Sequence, residues 1–291
     1  MPSPAGPNIA TSTTTMISIK QSEQIDATSV SEGWCKLYLK TSAAPDTQLG
    51  PTMVRILAGD GHGIYDECSA VRQELDSILM KANKPNTNET SSTIFPHRVW
   101  KNKSWDIEQL SDWYLGFFLP RLKAAAPSRL RRTYFERMID YFALGLENPD
   151  CRGNQLKFVI DRCKDASANG THFRQSGLQI AIFDPARDHS REPYLLFPCL
   201  QQIGFHFPSN QTLGLTAYYP TQKLVERAYG NYLGLCQLGE FVATSLGLRF
   251  TEFGCFIGSP RLGWPKRPLA LLTELSAGHL ARLDNLRTGD I

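Results

Sequence analysis

The chain lacks most of the patterns that assign a class at a glance. It has no apolar run of about 18 residues or more, the length needed to cross a bilayer, so no membrane span is expected. Its seven cysteines (35, 68, 151, 163, 199, 236 and 255) are odd in number and include no C-x-x-C pair. That argues against a disulfide framework or a structural zinc and for a reducing compartment. The start shows no basic segment followed by an apolar one, so no secretory signal is expected and the cytoplasm is the expected location. The formal net charge is only +3 and the basic residues are scattered, apart from the local cluster Arg129, Arg131 and Arg132. A nucleic-acid partner is therefore not expected. The run Gly59-Asp60-Gly61-His62-Gly63 lacks the G-x-G-x-x-G spacing, which reads as a loop and not a phosphate cradle.

What is present suits one folded body. A chain of 291 residues with 42% apolar content can bury one substantial core, and no internal repeat divides it. Residues 1–30, rich in Ser, Thr and Pro, read as a flexible tail, leaving 31–291 as a single domain. Thr52–Ala58 alternates as a strand does. In 66–82, Cys68, Val71, Leu75, Ile78 and Leu79 recur at helical steps. The polar run 84–92 reads as a loop. Trp100, Trp105 and Trp113 read as core residues or, alternatively, as the lining of a flat-ligand pocket. A helix is expected to open near Arg132 and to carry Tyr134, Met138, Ile139 and Phe142, with Gly145 as C-cap and Pro149 as stop. Another opens at Asn154, with Leu156, Val159, Ile160 and Cys163 as its buried stripe.

Period-two alternation marks strands at 178–183, 202–207 and 212–217, the last two joined by Pro208-Ser209-Asn210 as an antiparallel hairpin. The stretch 222–246 reads as one helix capped by Gly247, and 253–257 as a last strand. Gly230, Gly234 and Gly239 weaken that helix, so close backbone packing is expected there. His206, on the face opposite Phe205 and Phe207, reads as an ordinary sheet histidine.

Pro198-Cys199 stands at the entrance of the hairpin, with Asn231 on the helix that follows. Proline fixes φ and can hold the next side chain toward a cleft, which makes Cys199 a candidate nucleophile. The bland alternative is a buried small hydrophobe.

Pro198-Cys199, the paired strands and Ala228-Tyr229-Gly230-Asn231-Tyr232-Leu233-Gly234-Leu235 together resemble the catalytic half of thymidylate synthase. The likeness is nearest to that superfamily's divergent pyrimidine nucleotide C5-methylases and hydroxymethylases, and it runs from about Thr93 to Arg261. It implies an α/β fold with a mixed or antiparallel sheet, helices packed on one face, and a homodimer formed through the other face. It implies 5,10-methylenetetrahydrofolate as one-carbon donor and a pyrimidine nucleotide or nucleoside as substrate. By the same resemblance Cys199 adds to C6 of the ring, Asn231 reads the base edge, and Tyr134 helps remove the C5 proton.

The chain departs from the family at the substrate anchors. Pro220 stands where the family has a phosphate-binding arginine, Thr221 replaces the neighbouring serine, and Lys223 replaces an aspartate. The arginine pair given across the dimer falls on Ser176 and Gly177, and the sugar-binding His and Tyr fall on Arg261 and Gly263. The closing C-terminal segment is not recognisable after Arg261. Arg174, Arg98, Arg132 and Arg227 are the cations near enough in sequence to substitute; with Thr221 and Arg261, Arg174 and Arg98 are the expected substrate-binding residues. Two functions follow as expectations. One is one-carbon transfer, methylation or hydroxymethylation, to a substrate other than ordinary deoxyuridylate. The other is an inactive binding or dimerisation module on the same fold.

Overall fold

The computed structural model describes residues 20–58, 64–125, 133–141, 153–170, 174–189 and 198–289. The Arg129–Arg132 cluster, the Gly59–Gly63 run, Phe142, Gly145, Pro149, Cys151 and Phe197 lie outside these residues.

The architecture is α/β, built on a mixed six-stranded sheet in the order β1-β2-β7-β5-β4-β3. The strands are β1 (Glu23–Ala27), β2 (Thr52–Leu57), β3 (Gln179–Ala181), β4 (Gln202–Ser209), β5 (Thr212–Tyr219) and β7 (Arg249–Ile257). β1 runs parallel to β2 and β5 parallel to β7, while the other three pairings are antiparallel. A separate parallel pair joins β6 (Gln222–Lys223) to β8 (Pro260–Arg261). No helix among the described residues is long and apolar enough to cross a membrane.

The helices are α1 (Val30–Ala43), α2 (Ser69–Lys81), α3 (Thr87–Ser92), α4 (His97–Lys103), α5 (Ile107–Trp113) and α6 (Leu119–Ala125). They continue with α7 (Tyr134–Ile139), α8 (Gln155–Asn169), α9 (Pro185–Asp188), α10 (Tyr229–Ser245) and α11 (Ala270–Thr288). α10 is the central one. Its Leu235, Leu238 and Val242 are fully buried, and it packs on β5 and β7. The expected close approaches are found: a Cβ on Gly230 would lie 2.7 Å from the Thr87 carbonyl, and one on Gly234 would lie 2.7 Å from that of Ser91. Both contacts are with α3.

The two sheet faces differ sharply. Val54, Ile56, Leu213, Leu215, Phe253, Cys255 and Ile257 point into the core, as period-two alternation requires. On the opposite face Gln202, Tyr218, Phe256 and Met53 share one row across four strands. Tyr218 and Phe256 stack there at 5.8 Å, 39% and 45% exposed respectively.

Several sequence expectations need correction. Residues 23–27 are not tail: they form the edge strand β1, held by parallel pairing to β2. The polar run 84–92 contains α3, which Asn86 and Glu89 start through a reciprocal capping box that satisfies two free amide donors. The helix expected from Gln222 is interrupted: β6 comes first, then a π-helical turn over Leu224–Ala228, then α10. The last strand starts at Arg249, four residues earlier than expected. Tyr134 is half-buried, and the face that α7 buries is Phe135, Met138 and Ile139. Trp100 is buried with Phe95 and Phe241, the core role that aromatic residues usually take. His206 lies 3.6 Å from Glu252, as a sheet-surface partner.

Candidate active site

Cys199 is placed by the hairpin. Gln202 pairs with Tyr218, and the Gln201 amide donates to the Tyr218 carbonyl at 2.9 Å. The chain just before β4 therefore runs beside the point where β5 ends, at Tyr219-Pro220-Thr221. The Gln201 side chain donates back to the Pro198 carbonyl at 2.9 Å, which curls the segment on itself. Pro198 and Leu200 are buried while Cys199 between them is exposed. The bland reading of Cys199, a small hydrophobe in the core, does not describe this position.

Tyr134 opens α7, where the Thr133 side chain caps the helix and the Phe135 amide is tied to the Thr93 carbonyl at 3.2 Å. Its phenol pKa is pushed up to about 12 by burial and next by the neighbouring Cys199. The backbone amides of Leu200 and Cys199, together with Arg227, pull it back. Tyr134 and Cys199 thus meet, although they are far apart in sequence.

Burial also pushes the Cys199 thiol up, even though much of the side chain is exposed, and two cations oppose it: Arg227 first, then Lys223. Burial wins because a thiolate loses more hydration than these exposed cations return. The thiol is consequently protonated at neutral pH in the ligand-free protein. Arg227 sits on the π-helical turn and Asn231 lies four residues further along the same helical run, so the two share a face. Asn231 is 3% exposed.

Lys223 is the residue that sequence reasoning passed over. It registered there only as a lost aspartate, and Arg227 only as one of several spare cations. Among the described residues they are the two cations that act on Cys199. Lys223 pairs in register with Arg261 and lies 3.3 Å from Glu226. Arg261 is therefore brought beside Lys223. Thr221 is exposed in the turn between β5 and β6, beside the Cys199 segment.

Arg174 and Arg98 sit elsewhere. Arg174 is exposed just before β3, at the sheet edge, and no described contact ties it to Cys199. Arg98 lines a separate cavity of about 720 Å³ with His97, Lys101, Tyr114, Thr133 and Gln237. Glu240, bonded to two of those lining residues, is held below the ordinary carboxylate range: burial pushes it up, but hydrogen bonds from His97 (3.2 Å) and Lys101 (2.6 Å) outweigh that.

Behind Cys199 lies a buried polar layer. Tyr219 and Tyr232 are fully buried, and the Tyr232 hydroxyl donates to Gln222 Oε1 at 3.0 Å. The Tyr219 hydroxyl and Gln222 Nε2 have no hydrogen-bond partner among the described residues. A buried polar group left so costs about 1–3 kcal/mol, which marks this layer as unusual.

The chain matches no known protein-family model, and no curated protein is found to be similar to it. The functional reading therefore rests on the site itself and on the resemblance of its motifs.

Proposed function

We propose that the chain is a thymidylate synthase-like transferase that adds a one-carbon unit, as methyl or hydroxymethyl, to C5 of a pyrimidine nucleotide or nucleoside. The observation that carries this reading is the meeting of Cys199 and Tyr134 under the positive field of Arg227 and Lys223. A thiolate needs a cationic neighbour, and proton removal from carbon needs a hydroxyl network within reach.

In this reading the Cys199 thiolate forms a bond to C6, and the electron pair of the C5–C6 double bond moves onto C5 and the ring carbonyl. The one-carbon donor, when bound, would give up its carbon to C5 and keep the electron pair of the bond it loses. It would also provide the hydride for a methyl product, and water would complete a hydroxymethyl product. Loss of the C5 proton, assisted at the Tyr134 hydroxyl, returns an electron pair to the ring, and the thiolate departs from C6. Asn231 orients the base edge. Because the free thiol is protonated, substrate binding must supply part of its activation, by drawing Arg227 closer to it.

5,10-methylenetetrahydrofolate is the donor that the resemblance implies, and it would supply the one-carbon unit when bound. The described segment after Arg261 does not fit the closing cap of that cofactor. After Arg261 it runs into α11, where Thr273 bonds Tyr38 at 2.8 Å and Arg287 bonds Glu32 at 2.8 Å. Those groups are engaged on α1, so no step is assigned to the folate here. The exposed row with Tyr218 and Phe256 is the face on which a second copy would pack in this reading.

The raised Cys199 pKa and Pro220 in place of an arginine favour the second reading, an inactive binding or dimerisation module. The two are separated by exposing the protein to 5-fluoropyrimidine nucleotides and nucleosides, with and without methylenetetrahydrofolate. Fluorine cannot leave C5 as a proton does, so a C6 adduct persists and adds mass to the Cys199 peptide. An adduct absent from Cys199→Ser supports the transferase. No adduct with any pyrimidine leaves the module.

A further inference from the structure

Arg98 belongs to a space that one-carbon transfer leaves unused. The cavity of about 720 Å³ that it lines lies between α3, α4, the π-helical turn Tyr114–Phe118 and α10. Its volume falls within the range of about 300–1,000 Å³ that small-molecule sites occupy. Cys199, Tyr134, Arg227 and Lys223 are not among the residues that line it. The two sites are neighbours along the chain all the same, because Thr133 lines the cavity while Tyr134 meets Cys199.

Several polar groups around the cavity are closed off. The Tyr114 and Thr133 hydroxyls bond each other at 2.7 Å, and Lys101 is held by Glu240 at 2.6 Å. Arg98, Gln237 and Glu89 stay open among the described residues. Arg98, exposed on α4, has no hydrogen bond or ion pair there. Gln237 on α10 keeps its Oε1 buried and without a partner. Glu89 on α3 gives one carboxylate oxygen to the Asn86 amide at 2.9 Å and bonds nothing through the other. An unpaired guanidinium takes a phosphate or carboxylate through two parallel bonds. An unpaired amide oxygen or carboxylate takes N–H or O–H donors. A bare anion would meet repulsion from Glu89 along with attraction from Arg98, so charge alone does not fill this space. The half-buried Phe118 and Leu122 add an apolar wall.

We propose that this cavity binds a purine mononucleotide of the guanine type, with its phosphate on Arg98 and its base edge on Gln237 and Glu89. Guanine carries two adjacent N–H donors, which suit an amide oxygen and a carboxylate oxygen, whereas adenine offers a single donor group. The ring rests against Phe118 and Leu122, and the sugar keeps the anionic end away from Glu89. The inference does not rest on one-carbon transfer. Failure of the Cys199 adduct would leave it standing, and its own failure would leave the Cys199 reading untouched.

The test is isothermal titration calorimetry of the full chain with GMP, AMP, guanosine and inorganic phosphate. GMP is expected to bind about ten-fold or more tightly than each of the other three. Arg98→Gln should weaken GMP by about ten-fold or more and leave guanosine unchanged, since only the phosphate meets that residue. Gln237→Leu should weaken both. Arg227→Gln, in the Cys199 site, should leave GMP binding unchanged. Arg98 is exposed and unpartnered among the described residues, so its variant is expected to fold, which circular dichroism checks. If Gln237→Leu does not fold, Arg98→Gln decides alone. No GMP binding at up to about 1 mM overturns the proposal. So does binding that Arg98→Gln leaves intact, that Arg227→Gln weakens equally, or that AMP or phosphate alone matches.

Discussion

Lys223 and Arg261 stand opposite each other across the short parallel β6–β8 pair, two like charges in one register position. Like charges directly opposed are unfavourable in a sheet, and Glu226, 3.3 Å from Lys223, offsets part of that cost. Lys223 also acts on Cys199 together with Arg227, so the cationic side of the site opens toward the thiol.

An anionic alkylating agent should feel that field. Iodoacetate is expected to gain on iodoacetamide at Cys199 relative to the half-buried Cys68. Arg227→Gln and Lys223→Gln should each reduce that advantage by about two- to five-fold. They should also raise the thiol pKa further, since each cation now lowers it. A ratio indifferent to both substitutions and to added salt would count against the cationic site.

Ordinary deoxyuridylate should be a poor substrate. Charge-assisted hydrogen bonds are worth about 1.5–3 kcal/mol each, and Pro220, Ser176 and Gly177 offer none of those that arginines make in the family the chain is proposed to resemble. No turnover of deoxyuridylate with methylenetetrahydrofolate is expected, nor rescue of a thymine-requiring cell. Robust turnover would overturn this prediction and would mean that Pro220 does not stand at the arginine position.

The outer sheet face should mediate self-association in the proposed transferase. Phe256→Lys, placed beside Tyr218, is expected to shift sedimentation from dimer to monomer while circular dichroism stays unchanged. A wild-type protein that sediments as a monomer at every concentration contradicts this.

The chain end is a pH-dependent clasp. Glu32 is fully buried and its pKa is lowered from 4.5 to about 2: burial raises it, but Arg287, Lys36 and Thr28 outweigh that. A lowered carboxyl contributes stability above its unfolded value, and that contribution is lost as pH falls from 4.5 toward about 2. Lys36 and Thr28 still hold the carboxylate in Arg287→Leu, and Arg287 is partly exposed. This substitution should therefore cost about 1 kcal/mol in urea unfolding at neutral pH and much less at about pH 2. An equal loss at both would argue for lost packing and against the ion pair.

Gly230 is a packing requirement. Gly230→Ala would set its Cβ 2.6 Å from that of Thr90 and 2.7 Å from the Thr87 carbonyl. Overpacking of this kind costs about 1–3 kcal/mol, against a helix-propensity gain of up to about 1 kcal/mol. A net loss is therefore expected in thermal unfolding, and a gain would mean that α3 is free to move away.

Periodicity alone determined β2, α2, α8 and the β4–β5 hairpin, because each buries one face and the burial imposes its repeat on the residues. The same alternation marked a second, half-polar sheet face before any contact was known. Pro198-Cys199, Tyr134 and Asn231 were legible as candidates because their residue types and local motifs stand out in a single chain. What the sequence could not decide was everything set by long-range placement. α3 is polar throughout, and its helix depends on a capping box and on α10 glycines more than a hundred residues away. The π-helical turn that brings Arg227 round to Cys199 has no periodic signature, since it disrupts the period. Only the tertiary structure set Arg227, Lys223 and, beside Lys223, Arg261 apart from Arg98 and Arg174. An exposed cation carries no burial pattern, so its partner is chosen by where the backbone ends up.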